Sequence, residues 1–165
     1  MRGTAGPPEK PAIETFGPLS SSTAATPMFT PAATGPPDTT GLPPAEAARA
    51  LADWNYDRQN WAHAIEHYEQ AIAQGADTPD VRTDLGNCFR FLGQPKKALE
   101  QYELAQKQNP QHENSLFNQI SLYGDLLHDR QRAIAIGQDF VARFPQGPQA
   151  VAAKQLIERF QASGQ

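Results

Sequence analysis

Lys96-Lys97-Ala98-Leu99-Glu100-Gln101-Tyr102-Glu103-Leu104-Ala105 is the stretch on which the fold turns. Ala98, Leu99, Tyr102 and Ala105 recur at three- and four-residue steps, the spacing of one face of an α-helix. The stretch has two counterparts along the chain, Ala62-His63-Ala64-Ile65-Glu66-His67-Tyr68-Glu69-Gln70-Ala71 before it and Gln131-Arg132-Ala133-Ile134-Ala135-Ile136-Gly137-Gln138-Asp139-Phe140 after it. Ala64 and Ala98 are 34 residues apart, and Ala98 and Ala133 are 35 apart. That period belongs to a repeated pair of helices. The small residue lets the second helix of a pair approach the first closely, and an aromatic one turn later fills the space between pairs.

Working outward, helix punctuation falls at Pro43-Pro44, Asn60, Thr78-Pro79, Gln94-Pro95, Pro110, Asp129 and Pro145 to Pro148. Proline suits a first helical turn because its missing N–H has no partner there anyway. Seven helices are predicted, over about 45–58, 61–74, 79–92, 95–108, 113–127, 130–143 and 148–162. Residues 1–44 hold ten of the 15 prolines together with many Ser, Thr and Ala. Such a segment buries too little apolar surface to offset chain entropy and is expected to be a disordered tail or linker. Its scattered Ile13, Phe16, Leu19, Met28 and Phe29 allow a short docking motif as a secondary reading. The folded domain is expected over 45–162, with 163–165 as a C-terminal tail.

Composition removes several function classes. The net charge of -4, from 18 acidic and 14 basic residues, offers no excess with which to neutralise a phosphate backbone, so nucleic acid is not an expected partner. Cys88 is the only cysteine, which rules out an internal disulfide and a Cys-rich metal site. The sequence has no apolar run of the roughly 20 residues a membrane helix needs. No secretory signal follows Met1. The chain therefore reads as cytoplasmic by default; a Pro- and Thr-rich leader equally suits a bacterial envelope protein whose anchor or signal has been removed.

The pattern resembles the tetratricopeptide repeat family. The second repeat carries it best, with Leu85-Gly86, Phe89, Gly93, Ala98, Tyr102, Ala105 and Pro110 at the family's offsets. The first keeps Leu51-Ala52, Ala64, Tyr68 and Ala71 but has Asn55 at an aromatic position. The third keeps Tyr123, Ala133, Phe140 and Pro145, has Gln119-Ile120 in place of Leu-Gly, and contains one extra residue. If that residue lies late in the fifth helix, a local bulge absorbs it and Leu116, Ile120, Tyr123 and Leu127 form one stripe. If it lies in the preceding turn, Phe117, Ile120, Ser121 and Gly124 take the packing positions. The first placement is preferred. The implied fold is all-α, a right-handed α-solenoid of three antiparallel helix pairs closed by a capping helix.

The resemblance implies a non-catalytic scaffold or adaptor that binds a peptide or partner surface on the concave face lined by the first helix of each pair, with no cofactor. Mapped onto this sequence, that face carries Glu46, Arg49, Asp53, Tyr56 and Asp57, then Asp80, Thr83, Asp84, Asn87, Arg90 and Phe91, then Asn114, Phe117, Asn118, Ser121 and Asp125. Asn87 and Asn118 suit the backbone of an extended peptide, since an amide both donates and accepts. Tyr56 and Phe91 suit apolar side chains. One subgroup of the family grips chaperone C-terminal carboxylates with basic residues and asparagines. Here Asp53 and Asp84 replace the asparagines, and Asn114 and Asn118 replace the basic residues, so that clamp is absent. The carboxylates of Asp53, Asp57, Asp80 and Asp84 favour a neutral or basic segment.

Two other readings compete. His63-Ala64-Ile65-Glu66-His67 has the His-x-x-Glu-His spacing of one class of zinc hydrolase, but Ala64 and Tyr68 pack the same helix and no third ligand is evident. Cys88 lies inside a helix and reads as a small buried hydrophobe. A structural, self-associating repeat protein is the other alternative.

Overall fold

The structure, a computed structural model, describes residues 35–162. Seven α-helices follow in order: α1 Pro44–Asp57, α2 Trp61–Ala73, α3 Pro79–Phe91, α4 Pro95–Gln108, α5 Glu113–Ser121, α6 Arg130–Arg143 and α7 Ala150–Ala162. A π-helical turn, Leu122–Leu126, extends α5. These helices stand where the sequence places them, each end within about two residues of the expected one. Pro44, Pro79 and Pro95 open α1, α3 and α4, where the missing N–H costs no hydrogen bond. Side chains cap three other orphan donors: Thr78 Oγ1 accepts from Val81 N at 3.3 Å, His112 Nδ1 from Ser115 N at 3.4 Å and Asp129 Oδ1 from Arg132 N at 3.0 Å.

The helices pack as pairs, α1 on α2, α3 on α4, and α5 with its π turn on α6, with α7 laid on α6. Ala64, Ala98 and Ala133 are all fully buried at the pair contacts, as their period requires. Tyr102 lies so close over Gly86 that a Cβ there would fall 2.5 Å from the ring. One core gathers Tyr56, Tyr68, Val81, Leu85, Cys88, Phe89, Tyr102 and Leu122, and a second gathers Leu116, Ile120, Tyr123, Ala133, Phe140, Ala153 and Phe160. No helix of the described residues is long and apolar enough to cross a membrane.

The extra residue of the third repeat is taken up in the π turn, where Leu127 N donates to Leu122 O at 3.0 Å, five residues back. Leu116, Ile120 and Tyr123 consequently share the second core, with Leu127 packed against it. Leu122, widened to the other side, is fully buried in the first core. The turn thus ties the two cores together.

The third pair departs from the other two at one place. Ala133 aligns with Ala98, which puts Gly137 in the register of Tyr68 and Tyr102, and Phe140 in that of Ala71 and Ala105. The aromatic counted as retained in this repeat has therefore exchanged places with a small residue. Phe140 is fully buried, edge-on to Phe117 with ring centroids 5.6 Å apart, while Ile157 of α7 packs onto Gly137.

Of the expected tail, residues 1–34 and 163–165 lie outside the described residues. The described part lies against α1: Trp54 Nε1 donates to Gly35 O at 2.8 Å.

The turns inside the pairs repeat as well. Gln59, Gly93 and His128, spaced by 34 and 35 residues, all adopt left-handed backbone, with φ 60°, 68° and 56°. Glycine meets no Cβ penalty in that region, whereas other L-residues do. Gln59 is exposed, and its side chain makes no hydrogen bond among the described residues that would offset the strain. Gln59→Gly is therefore expected to raise stability by about 0.5–1 kcal/mol, measured by urea unfolding.

Candidate binding face of the first helices

α3 contacts α5, and α5 contacts α7, so these three helices lie side by side, and Asp53 of α1 is near enough to Asp84 of α3 for their charges to interact. Second helices send hydroxyls into the face of the first helices from behind. Tyr68 of α2 donates to Asp53 Oδ1 of α1 at 2.7 Å, and Tyr102 of α4 donates to Asn87 Oδ1 of α3 at 2.7 Å. Asn118 Nδ2 of α5 donates to the same Asn87 oxygen at 3.0 Å. Burial keeps both tyrosine hydroxyls protonated, raising them well above the ordinary phenol range. They act as fixed donors. Sequence reasoning missed Tyr68 and Tyr102 as positioning residues, although the same 15-residue offset links each to its partner on the face.

The face is acidic. Arg49 Nε lies 3.7 Å from Asp53 Oδ2, and both side chains are partly exposed. Asp53 is nevertheless raised above its ordinary value, by burial first; its bond from Tyr68 and the charge of Arg49 oppose this, and Asp57 adds to it. Asp84 is pushed up to about 7, again chiefly by burial, with repulsion from Asp53, Asp80 and Asp57 added and Arg49 opposing. No hydrogen bond or ion pair among the described residues reaches the Asp84 carboxylate, whereas Asp80 Oδ1 lies 3.0 Å from His112 Nε2.

Several expected site residues are placed differently by the fold. Tyr56 is buried, edge-on to Trp61 and Tyr68 at 5.2 and 6.4 Å, so its ring belongs to the core rather than to a surface that grips a ligand. Thr83 is buried too, its hydroxyl donating to Pro79 O at 2.7 Å. Phe91 is exposed and stacks on Trp61 at 4.3 Å, joining the first two pairs at one edge of the face. Phe117 is half-buried against Phe140, and Asn114 Oδ1 accepts from Gln149 Nε2 at 2.9 Å. Arg90 is half-buried, Asp57 exposed, and Asp125 pairs with Arg159 at 2.7 Å. That leaves Asp53, Asp57, Asp80, Asp84, Asn87 and Asn118 as the polar centre of the face, with Arg49 and Arg90 as its cations.

Asp80, His112 and Ser115 also stand in the order of a hydrolytic triad, with Nε2 3.0 Å from Asp80 Oδ1 and Nδ1 2.9 Å from Ser115 Oγ. Geometry of that kind needs an accessible nucleophile. Ser115 is fully buried, its hydroxyl lies 3.2 Å from His112 O, and Gln106 Nε2 donates to it at 2.8 Å. The cluster caps α5 and fastens the third pair to the second. Cys88 is likewise fully buried, and burial raises its thiol far above the range in which a thiolate forms. His63 and Glu66 are exposed while His67 Nδ1 is enclosed without a partner, and among the described residues no group of three potential ligands gathers for a metal.

Residues 55–116 match the family model described as tetratricopeptide repeat. Over this stretch the chain carries the tetratricopeptide repeat. Among solved structures, it is similar to the TPR2B domain of yeast Sti1, in a complex with pHsp70, at 14% identity and a TM-score of 0.67, over 72% of this chain and 97% of that one. The Sgt2 TPR domain from Aspergillus fumigatus matches at 20% identity and 0.64, over 78% and 84%. The Arabidopsis OM64 TPR domain matches at 16% and 0.63, over 72% and 94%. At such identities the likeness concerns the fold. No curated protein matches the sequence. The match of the model spans the strong second repeat and parts of both neighbours, the region where the period was clearest.

Proposed function

We propose that this tetratricopeptide-repeat chain is a non-catalytic interaction scaffold that holds a neutral or basic peptide segment of another protein along the face of α1, α3 and α5. One observation carries the reading: Tyr68 and Tyr102 hold Asp53 and Asn87, and Asn118 joins the same ladder, so the polar side chains of adjacent pairs are ordered before any ligand arrives. Ordering in advance lowers the entropy cost of binding. Five carboxylates on the first two pairs, Glu46, Asp53, Asp57, Asp80 and Asp84, face only Arg49 and Arg90 as cations, which favours positive over negative ligands. The Sti1 domain in its complex with pHsp70 is a precedent for a fold of this kind engaging another protein.

Crosslinking with mass spectrometry in native extract tests the reading, with the parent chain compared with an Asn87→Ala, Arg90→Ala double variant whose helicity is checked by circular dichroism. The expected result is loss of most of the captured partner. A partner retained unchanged, or synthetic acidic peptides that bind more tightly than basic ones, overturns it.

A further inference from the structure

Apolar side chains collect along one end of the stack, outside the polar centre of the face. Of the five large apolar side chains exposed among the described residues, those of Phe91, Leu92 and Leu126 stand at turns that join first to second helices. His128 follows Gly93 by 35 residues, which puts Leu126 in the register of Phe91 one pair further along. Trp61, half-buried, opens α2 at the corresponding turn of the first pair and stacks on Phe91 at 4.3 Å. Successive turns thus present Trp61, then Phe91 and Leu92, then Leu126. Such a row is stabilised by being covered, because removing apolar area from water is the main favourable term in association.

The chain brings a cover to this end. Trp54 Nε1 donates to Gly35 O at 2.8 Å, so the segment from Gly35 to Pro43 spans α1 from its late turns back to its start. Whatever precedes Gly35 therefore begins beside the last turns of α1, at the end of the stack that carries the apolar row. Phe29 comes six residues before Gly35, with Met28 next to it and Pro27 and Pro31 on either side. Six residues span at most roughly 20 Å. Trp54 and Tyr56 lie about 200° apart around α1, on opposite sides, and Tyr56 meets Trp61 edge-on at 5.2 Å. The way from Gly35 to Trp61 is thus about one helix diameter, 10–12 Å, within reach of the tether.

We propose that Met28 and Phe29 dock, within the same chain, on the apolar edge formed by Trp61, Phe91 and Leu92. A short tether holds them at high local concentration, whereas Ile13, Phe16 and Leu19 stand sixteen or more residues before Gly35. Prolines on both sides leave fewer backbone states to lose on docking. The inference does not rest on the binding face proposed above, since none of the three edge residues belongs to its polar centre.

The test uses the whole chain, with backbone amides and tryptophan indoles followed by NMR. Met28→Ser and Phe29→Ser together are expected to shift the Trp61 indole and the amides of Phe91 and Leu92, while the amides of α7 hold. Phe91→Ser, at an exposed position, is expected to shift the amide of Phe29 in return. Both shifts are expected to persist on dilution, as a contact within one chain requires. Edge signals that stay still in the Met28→Ser, Phe29→Ser chain leave the edge open to another protein, and the proposal falls. Shifts that fade on dilution assign the contact to a second copy of the chain and overturn it as well. So does an equal shift from Ile13→Ser with Phe16→Ser, which places the contact in another part of the leader.

Discussion

Phe140→Ala is expected to cost about 3–5 kcal/mol of stability, the range for removing a buried aromatic ring from a packed core. The ring is fully buried and makes two aromatic contacts, edge-on to Phe117 at 5.6 Å and tilted on Phe144 at 5.2 Å. Surroundings from α5, α6 and α7 cannot all close on the gap, because they are fixed by different partners. Small domains have about 5–15 kcal/mol in total, so the loss is a large share. Helix pairs of a repeat stack contact mainly their neighbours, which confines the damage to the α5–α7 end. The expected readout is a split unfolding curve in urea, with an early step lost from Tyr123 and a later one that retains the signals of Trp54 and Trp61. A single transition shifted by less than 1 kcal/mol would show that the exchange of large and small residues in the third pair is tolerated without consequence.

Why the exchange occurs lies in α7. Ile157 Cγ1 would come within 2.7 Å of a Cβ at Gly137, so the position filled by Tyr68 and Tyr102 in the other pairs is taken up by a residue of the capping helix. The ring volume has moved to Phe140. Seven helices and their pairing were legible because Ala64, Ala98 and Ala133 keep the period and prolines mark the ends. The exchange was not, since it depends on which face α7 buries, and its mixed Val151, Leu156, Ile157 and Phe160 do not settle that from spacing alone. The π turn was partly legible: one surplus residue must go somewhere, and only the stripe of Leu116, Ile120, Tyr123 and Leu127 favoured a place late in α5.

The binding face was legible as a list of positions and much less as chemistry. Asp53, Asn87 and Asn118 were placed on it through the register of the repeat, and they are joined there by tyrosines of the second helices. Tyr56 failed as a surface residue because Trp61, at the start of α2, supplies the ring that closes over it. Charge counting identified four aspartates with equal weight. Only their surroundings separate them: a hydroxyl for Asp53, an imidazole for Asp80, open solvent for Asp57, and for Asp84 partial exposure with no hydrogen bond or ion pair among the described residues.

That separation has a consequence for stability. Asp84 is held at about 7 in the folded chain against an ordinary value of 3.8, so between those limits the native state keeps a proton that the unfolded state has given up. Folding is then favoured by low pH: the contribution is complete below the unfolded value and is lost as pH rises through about 7. A rise of this size corresponds to roughly 2–4 kcal/mol by about pH 8. Asp84→Asn, which cannot ionise, is expected to match the parent near pH 4 and to exceed it by that amount near pH 8, in urea unfolding at each pH. A parent chain whose stability climbs from pH 5 to pH 8 as steeply as the variant's contradicts the assignment. Asp53 is raised in the same direction and supplies a smaller slope of the same sign, which Asp84→Asn weakens by removing one of its neighbours.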